Sequence, residues 1–252
     1  MEIITGLRFK NIVKSGSQKA WEIDGLDQYG NENTWCVKLY SPINHNQSTI
    51  NDIICSTLAR ELEVSTPDFG MLRMTSEFKE LLPNDQITRF DKLRQDYLFC
   101  TKWINDATII NPISELKKIA NYELESVYAF DFLVQNKDRR FEKPNLLISN
   151  AECFIIDHEM TFVAAHLSFP RNEISIPKNH LLMEYLKHNS LTSFDTFQEV
   201  FKHFKVSAME NLPQEIEAVG YDLDYSYIVL TYLEEVSTNS QLFIKKLKAS
   251  LL

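Results

Sequence analysis

Residues 136–162 read NKDRRFEKPNLLISNAECFIIDHEMTF. Two apolar runs, NLLIS and CFIID, flank Asn150-Ala151-Glu152, which is the pattern of two short strands joined by a turn. Polar groups crowd both open ends: Asn136, Asp138, Arg139 and Arg140 before the first run, Asp157 and His158 after the second. Such groups at the mouths of an apolar hairpin carry a desolvation penalty, so they call for water or a ligand.

If the turn centres on Ala151, residues whose numbers sum to 302 face each other, and Asn145 pairs with Asp157 across the strands. Their Cβ atoms then lie about 4.5–5.5 Å apart on one face. An amide oxygen and a carboxylate at that separation can share one hard cation, and Mg2+ suits a site whose remaining ligands are water and phosphate. A slip of one residue would send the two groups to opposite faces. Asp138, on the loop ahead of the hairpin, is placed to accept a proton from an attacking hydroxyl or to orient it, as phosphoryl transfer requires. Arg139 and Arg140 either offset phosphate charge or hold the loop. Taken alone, Asn-x-Asp-Arg is also ordinary turn chemistry. Followed by an Asn that opens one strand and an Asp that closes its partner, it matches the acid–amide–acid sets of kinase-like sites.

Working outward, the first hundred residues are strand-like and the remainder helical. Strands are expected near Ile12–Val13, at Ala20–Ile23, over TWCVKLY (34–40), at Phe69–Met74 and at Asp96–Trp103. In the third of these, Trp35, Val37 and Leu39 share a face. Ile50, Ile53, Ile54, Leu58 and Leu62 recur at helical intervals, with Ser48 as the expected N-cap. Further helices are expected at Ser114–Ala120, Glu123–Leu133, His180–Lys187, Phe194–Phe204 and Gln214–Val219, with one or two over Tyr225–Leu251. The resulting partition is an α+β chain with a strand-rich lobe over residues 1–104 and a helical lobe over 105–252 that holds the hairpin.

Composition narrows the function classes. A length of 252 residues with 44% hydrophobic content supports a sizeable core. A net charge of −9 argues against direct nucleic-acid binding, which favours a basic face. Cys36, Cys55, Cys100 and Cys153 form no CxxC or CxH pair, so they read as reduced thiols rather than zinc ligands. The polar N-terminus MEIITGLRFKNIVKSG is no signal peptide, and no apolar run reaches the roughly 20 residues of a membrane span. A cytoplasmic protein with no membrane partner is the expectation.

A kinase-like reading requires a lysine for the nucleotide phosphates and a loop to cover them. Lys38, between Val37 and Leu39, answers the first need, although an edge-strand lysine that snorkels reads the same way. The loop Ser15-Gly16-Ser17 stands where a covering turn belongs, with neither GxGxxG nor a Walker A sequence.

These features together resemble the HipA-like kinases, in particular their compact single-module branch. The resemblance rests on the S-G-S loop (15–17), WCVKLY with Lys38, NDIICSTLARELEVSTPD (51–68) and NKDRRFEKPNLL…FIIDH (136–158). It runs to about residue 165, and the last ninety residues resemble nothing specific. It implies a two-lobed protein-kinase-like fold and an ATP- and Mg2+-dependent transfer to a protein serine or threonine. It also implies Asp138 as the catalytic aspartate, Asn145 and Asp157 as magnesium ligands and Lys38 as the phosphate lysine. Gly16 and Ser17 would then cover the phosphates, with Ser15 or Ser17 as autophosphorylation candidates. The backbone of Phe99, Thr101 and Trp103 would meet the base. Toxin–antitoxin systems are the setting known for the family. This chain departs at Asp52, where the family usually has Glu, and at His158, which reads as a hydrogen-bonded structural histidine. The competing classes are a nucleotide-binding pseudokinase acting as an interaction module and a scaffold with no nucleotide site.

Overall fold

The computed structural model describes residues 1–14, 19–110, 113–150, 152–162, 174 and 176–252. These fall into two compact units, each mixed in a different proportion of strand and helix. The first comprises Met1–Ile53, Pro67–Ile104 and Asn211–Leu223, and the second Ile54–Thr66, Asn105–Glu210 and Asp224–Leu252.

The first unit is built on a closed five-stranded barrel. Strands β1 (Ile3–Ile12), β2 (Trp21–Leu26), β3 (Glu32–Val37), β4 (Phe69–Arg73) and β5 (Tyr97–Lys102) run in the order β1-β2-β3-β5-β4. Parallel pairing of β1 with β4 (Ile3 with Met71, Thr5 with Arg73) closes the circle, and the other neighbours are antiparallel. Alternation decides the inside: Trp21 faces Val37 and Ile23 faces Trp35 across β2 and β3, and all four are buried. Helices α2 (Ser76–Glu80) and α3 (Asn84–Asp91) add Phe78 and Phe90 to the same core. The buried indole of Trp21 donates to Gln86 of α3 at 2.8 Å. Gly6 is required where α2 meets β1, because a Cβ there would sit 2.5 Å from the Phe78 ring.

Helix α1 (His45–Glu61) starts three residues ahead of the expected cap, so Ser48 is a buried interior residue whose N–H bonds Asn44 O at 2.9 Å. At its start, His45 Nε2 lies 3.1 Å from the Tyr221 hydroxyl, which itself donates to Tyr97 O at 2.6 Å. With the tyrosine proton so directed, the neutral imidazole donates from Nε2 and leaves Nδ1 a buried acceptor without a partner among the described residues.

In the second unit, α4 (Asn121–Val134) is buried almost all round from Leu124 onward, Asp131 included. Strands β6 (Thr108–Ile109), β7 (Leu146–Ser149) and β8 (Glu152–Ile155) make a small antiparallel sheet. Helices α5 (Met183–Lys187), α6 (Asp195–His203), α8 (Leu223–Thr238) and α9 (Ser240–Ala249) complete it, while α7 (Leu212–Ala218) belongs to the first unit. Phe201 of α6 and Phe132 of α4 meet Phe243 of α9 at ring separations of 5.0 and 5.7 Å.

The expected boundary at residue 104 does not describe the whole division, since residues 54–66 group with the second unit and 211–223 with the first. Ser65 O accepts the Ile155 N–H at 2.9 Å, and Thr66 bonds Ile155 O, which ties the end of the α1 segment to β8. The short elements α2, α3 and β6 were not expected, because five, eight and two residues hold too few apolar positions to show a period. Ser114–Ala120 forms a 3-10 helix over Ile113–Lys118. No cysteine is in a disulfide, and burial pushes the Cys153 thiol up to about 12. Among the described residues, no helix is long and apolar enough to cross a membrane.

Burial lowers the His45 imidazole to about 4 from its ordinary 6.5. Protonation is therefore favoured in the unfolded chain, so the His45 contribution to stability is whole above pH 6.5 and is lost as pH falls toward 4. Urea unfolding between pH 7 and pH 4 should show wild type losing about 3 kcal/mol more than His45→Asn.

Candidate active site

In the first unit, the Lys38 N–H bonds Phe99 O at 2.9 Å one residue beyond the end of β3. Its Nζ turns inward, 3.1 and 3.3 Å from the two carboxylate oxygens of Asp52 on α1. Both are buried, Lys38 at 9% and Asp52 at 1% exposure, so Lys38 is not a snorkelling surface lysine. The Tyr40 hydroxyl also donates to Asp52. The ammonium lies 5.9 Å from the ring centroids of both Tyr40 and Phe99, within cation–π range. The pair with Asp52 thus forms despite the missing methylene, and the tyrosine contributes a second donor to the shorter carboxylate.

Much of the backbone of Phe99, Thr101 and Trp103, the residues expected to meet a nucleotide base, is engaged in the barrel. Strand β5 is paired on both sides, with Thr101 opposite Cys36 of β3 and Phe69 of β4. Phe99 O takes the Lys38 N–H, and the Trp103 N–H goes to Thr34 O at 2.8 Å. The Trp103 side chain is 38% exposed. Ser15, Gly16 and Ser17, the expected covering loop, lie outside the described residues.

In the second unit, the loop after α4 is fixed by one buried anion. Helix α4 ends at Gln135 in a left-handed conformation (φ 56°), which turns the chain back on Asp131. Asn136 Nδ2 donates to Asp131 Oδ1 at 2.8 Å, and Asn136 Oδ1 accepts the Asp138 N–H at 3.0 Å. Arg139, fully buried, grips both Asp131 oxygens through Nε and Nη2, the latter at 3.2 Å. The same guanidinium reaches Pro144 O at 3.2 Å and Asn145 O, at the entry to β7. His180 Nε2 lies 2.9 Å from Asp131, and the Leu181 N–H bonds Arg139 O at 3.0 Å. Burial by itself raises the Asp131 pKa, but the Arg139 charge and the His180 bond and charge outweigh it and hold the carboxyl well below the usual range. Burial is also the main cause that lowers the His180 pKa. Arg139 therefore holds the loop. Arg140 Nη2 bonds Asp138 Oδ1 at 3.1 Å, and Lys143 Nζ bonds Oδ2 at 3.2 Å.

The hairpin register differs from the expected one. Leu146 pairs with Ile155 and Ser149 with Glu152, so facing residues sum to 301 and only two residues connect the strands. Two-residue connections with a left-handed first position are favoured in hairpins, and Asn150 has φ 51°. Asn145 accordingly faces Ile156, whose N–H bonds Asn145 O at 3.1 Å, rather than Asp157. Asp157 is nevertheless brought to Asp138. Both Asn145 (φ 47°) and Asp157 (φ 64°) have left-handed backbones outside the regular strands, so strand alternation no longer dictates where their side chains go. Carboxylate oxygens of Asp138, Asp157 and Glu159 all lie within 4.8 Å of one another. Asn145 Nδ2 is buried without a hydrogen-bond partner among the described residues. His158 is buried against the Phe130 ring (5.7 Å) and lies 3.5 Å from Arg139 Nη2, as a structural histidine would.

Asp131, Lys143, Glu159 and His180 were not singled out from the sequence. Asp131 had a readable signal, an acid inside the apolar run Val127–Val134, since a buried unpaired carboxylate is rare. The other three carry none, because loops and the residues beyond a strand have no period.

Asp131→Ala leaves the Arg139 guanidinium buried without its anion, and should destabilise the chain by about 3–5 kcal/mol in urea unfolding. Removing Asp91, whose pair with Lys79 is 52% and 37% exposed, should change stability by about 0–1 kcal/mol. Because the native Asp131 pKa is depressed, its contribution is present at neutral pH and lost on acidification.

Comparison with curated proteins gives no match. Among solved structures, the chain is similar to the PAN3 pseudokinase of Neurospora crassa at 10% identity and a TM-score of 0.31, covering 97% of this chain and 62% of that one. A mutant of that pseudokinase gives 12% identity and a TM-score of 0.31, with 97% and 64% covered. The chain spans less than two thirds of the length of these structures, and overlaps this loose bear on neither mechanism nor partner. The model of the HipA-like kinases matches residues 13–225, a span that includes Lys38, Asp52, Asp138, Asn145 and Asp157, and the chain therefore belongs to the HipA-like kinase family.

Proposed function

We propose that this chain is an ATP- and Mg2+-dependent phosphotransferase of the two-lobed kinase kind that acts on a serine or threonine hydroxyl of a protein. The observation that carries the reading is the convergence of the Asp138, Asp157 and Glu159 carboxylates within 4.8 Å. Three hard oxygen donors with no thiolate or imidazole among them fit Mg2+ or Mn2+. The Asn145 amide, whose Nδ2 is buried and unpartnered among the described residues, fits the same role, since reversing it presents Oδ1 in place of Nδ2. Asp157 and Asn145 would hold the ion with Glu159 beside them; when bound, it neutralises charge on the β- and γ-phosphates.

The chain's own groups do the rest. Lys38, positioned by Asp52, binds phosphate oxygens. The acceptor hydroxyl displaces one of the two cations on Asp138, Arg140 or Lys143, and is oriented by the freed carboxylate oxygen. An oxygen–phosphorus bond forms as the bond between the γ-phosphorus and the bridging oxygen breaks. ADP leaves with that electron pair, and the hydroxyl proton passes to Asp138. A nucleotide-binding module without transfer is the second reading, favoured by the prior occupation of both Asp138 oxygens.

With labelled ATP and Mg2+, the purified chain should incorporate or release phosphate. Asp138→Ala should slow this by about 10²–10⁴-fold, and chelation of the metal should abolish it. ATP at a hundred times its Kd should stabilise wild type by about 2.7 kcal/mol in thermal unfolding. Stabilisation without transfer would select the module reading, and neither effect would overturn both.

A further inference from the structure

Beside the loop that carries Asp138 lies an open groove of about 560 Å3, formed within the second unit by Lys117, Phe141, Leu181, Glu184, Tyr185 and His188. Phe141 stands three residues after Asp138, yet 44% of its surface is exposed. With Leu181 and Tyr185 it forms an apolar stretch of the groove's lining, set beside the loop that the Asp131–Arg139 pair fixes. A second lining residue is tied to the same loop: the Leu181 N–H bonds Arg139 O at 3.0 Å, and Arg140 bridges to His180. Phe141 and Leu181 of the lining are therefore held on, or directly against, the loop that carries Asp138.

We infer that this groove seats an extended segment of the acceptor protein, with one large apolar side chain of that segment anchored between Phe141 and Tyr185. The inference rests on the phosphotransferase reading above and specifies its acceptor. The volume is several times the roughly 150 Å3 that one large side chain leaves when removed, so it accommodates a stretch of chain. The lining matches such a stretch in kind. Phe141, Leu181 and Tyr185 offer apolar surface to a side chain, while Lys117, and Glu184 with its 3.6 Å partner His188, offer donors and acceptors to an exposed backbone. A polyanion is a poor occupant, because the lining balances Lys117 against Glu184 and the chain carries −9 overall. The anchor is expected within a few residues of the accepting hydroxyl, because Phe141 and Asp138 are separated by only two residues of loop.

A positional-scanning set of ten-residue peptides with one central serine, assayed with labelled ATP and Mg2+, tests this. Wild type should select Phe, Leu, Ile or Met at one fixed distance from the serine. Phe141→Ala and Tyr185→Ala should each reduce that selectivity about tenfold or more, with the change in KM rather than in kcat. ATP-dependent thermal stabilisation of each variant shows that it has folded. Unchanged selectivity in both variants overturns the inference. So does a wild type that turns over ATP but phosphorylates no peptide, which leaves the phosphotransferase reading standing. A sedimentation change in both variants without a selectivity change would assign the groove to a second copy of the chain. A wild type that neither binds nor turns over ATP sinks the parent reading instead.

Discussion

A fully buried carboxylate, Asp131, sets the shape of the loop that carries Asp138. Five groups converge on it or on its partner: the Asn136 amide, the Arg139 guanidinium, the His180 imidazole and, through Arg139, the carbonyls of Pro144 and Asn145. One anion therefore fixes both ends of a loop that begins after α4 and ends at β7. An arginine is needed at position 139, because only a planar fork of five donors can hold two carboxylate oxygens and two carbonyls at once. A lysine could supply the charge but not the geometry. Burying such a pair has little net benefit for stability when set against an apolar substitute. Its consequence is positional: Asp138 sits between two anchored neighbours, so its carboxylate is placed without belonging to the anchor.

The same segment places its acid and amide groups by leaving regular structure at particular points. Gln135, Asn145, Asn150, Asp157 and Phe162 all have positive φ, one at each junction of helix, loop, hairpin and exit. Asn and Asp tolerate that conformation better than other non-glycine residues, which fits the three amide or acid side chains at the middle junctions. Each reversal resets the direction in which following side chains point. A carboxylate at such a junction can approach Asp138 even though strand register alone would exclude it.

That is also why the sequence was legible in some places and not in others. Long elements with strong periodicity were readable: α4, the β2–β3 pair with Trp21, Ile23, Trp35 and Val37, and the two strands of the hairpin. The acids of NKDRR and IIDH stand out by residue type, and Asp138 and Asp157 do come together. The hairpin register differs by one from that expected, because a two-residue and a three-residue turn look alike in a stretch such as Ser-Asn-Ala-Glu. The start of α1 was missed because residues 44–47, Asn-His-Asn-Gln, show no apolar spacing. Glu159 carries no signal for a different reason: it lies two residues beyond the positive-φ Asp157, and no period extends through such a point.

The first unit repeats the principle in its own terms. Lys38 is drawn inward by Asp52, and Asp52 is the shorter of the two acids that could serve. Its reach is made up by neighbours, since the Tyr40 hydroxyl shares the carboxylate, and the Tyr40 and Phe99 rings flank the ammonium at 5.9 Å. Aromatic faces favour a cation more when water is excluded, so the pair relies on its surroundings as well as on contact distance. Tyr40 and Lys38 lie two residues apart, and β5 supplies Phe99 directly across from Lys38 through the backbone bond to its carbonyl. The orientation of Lys38 is thus shared among Asp52, two aromatic residues and the barrel ladder.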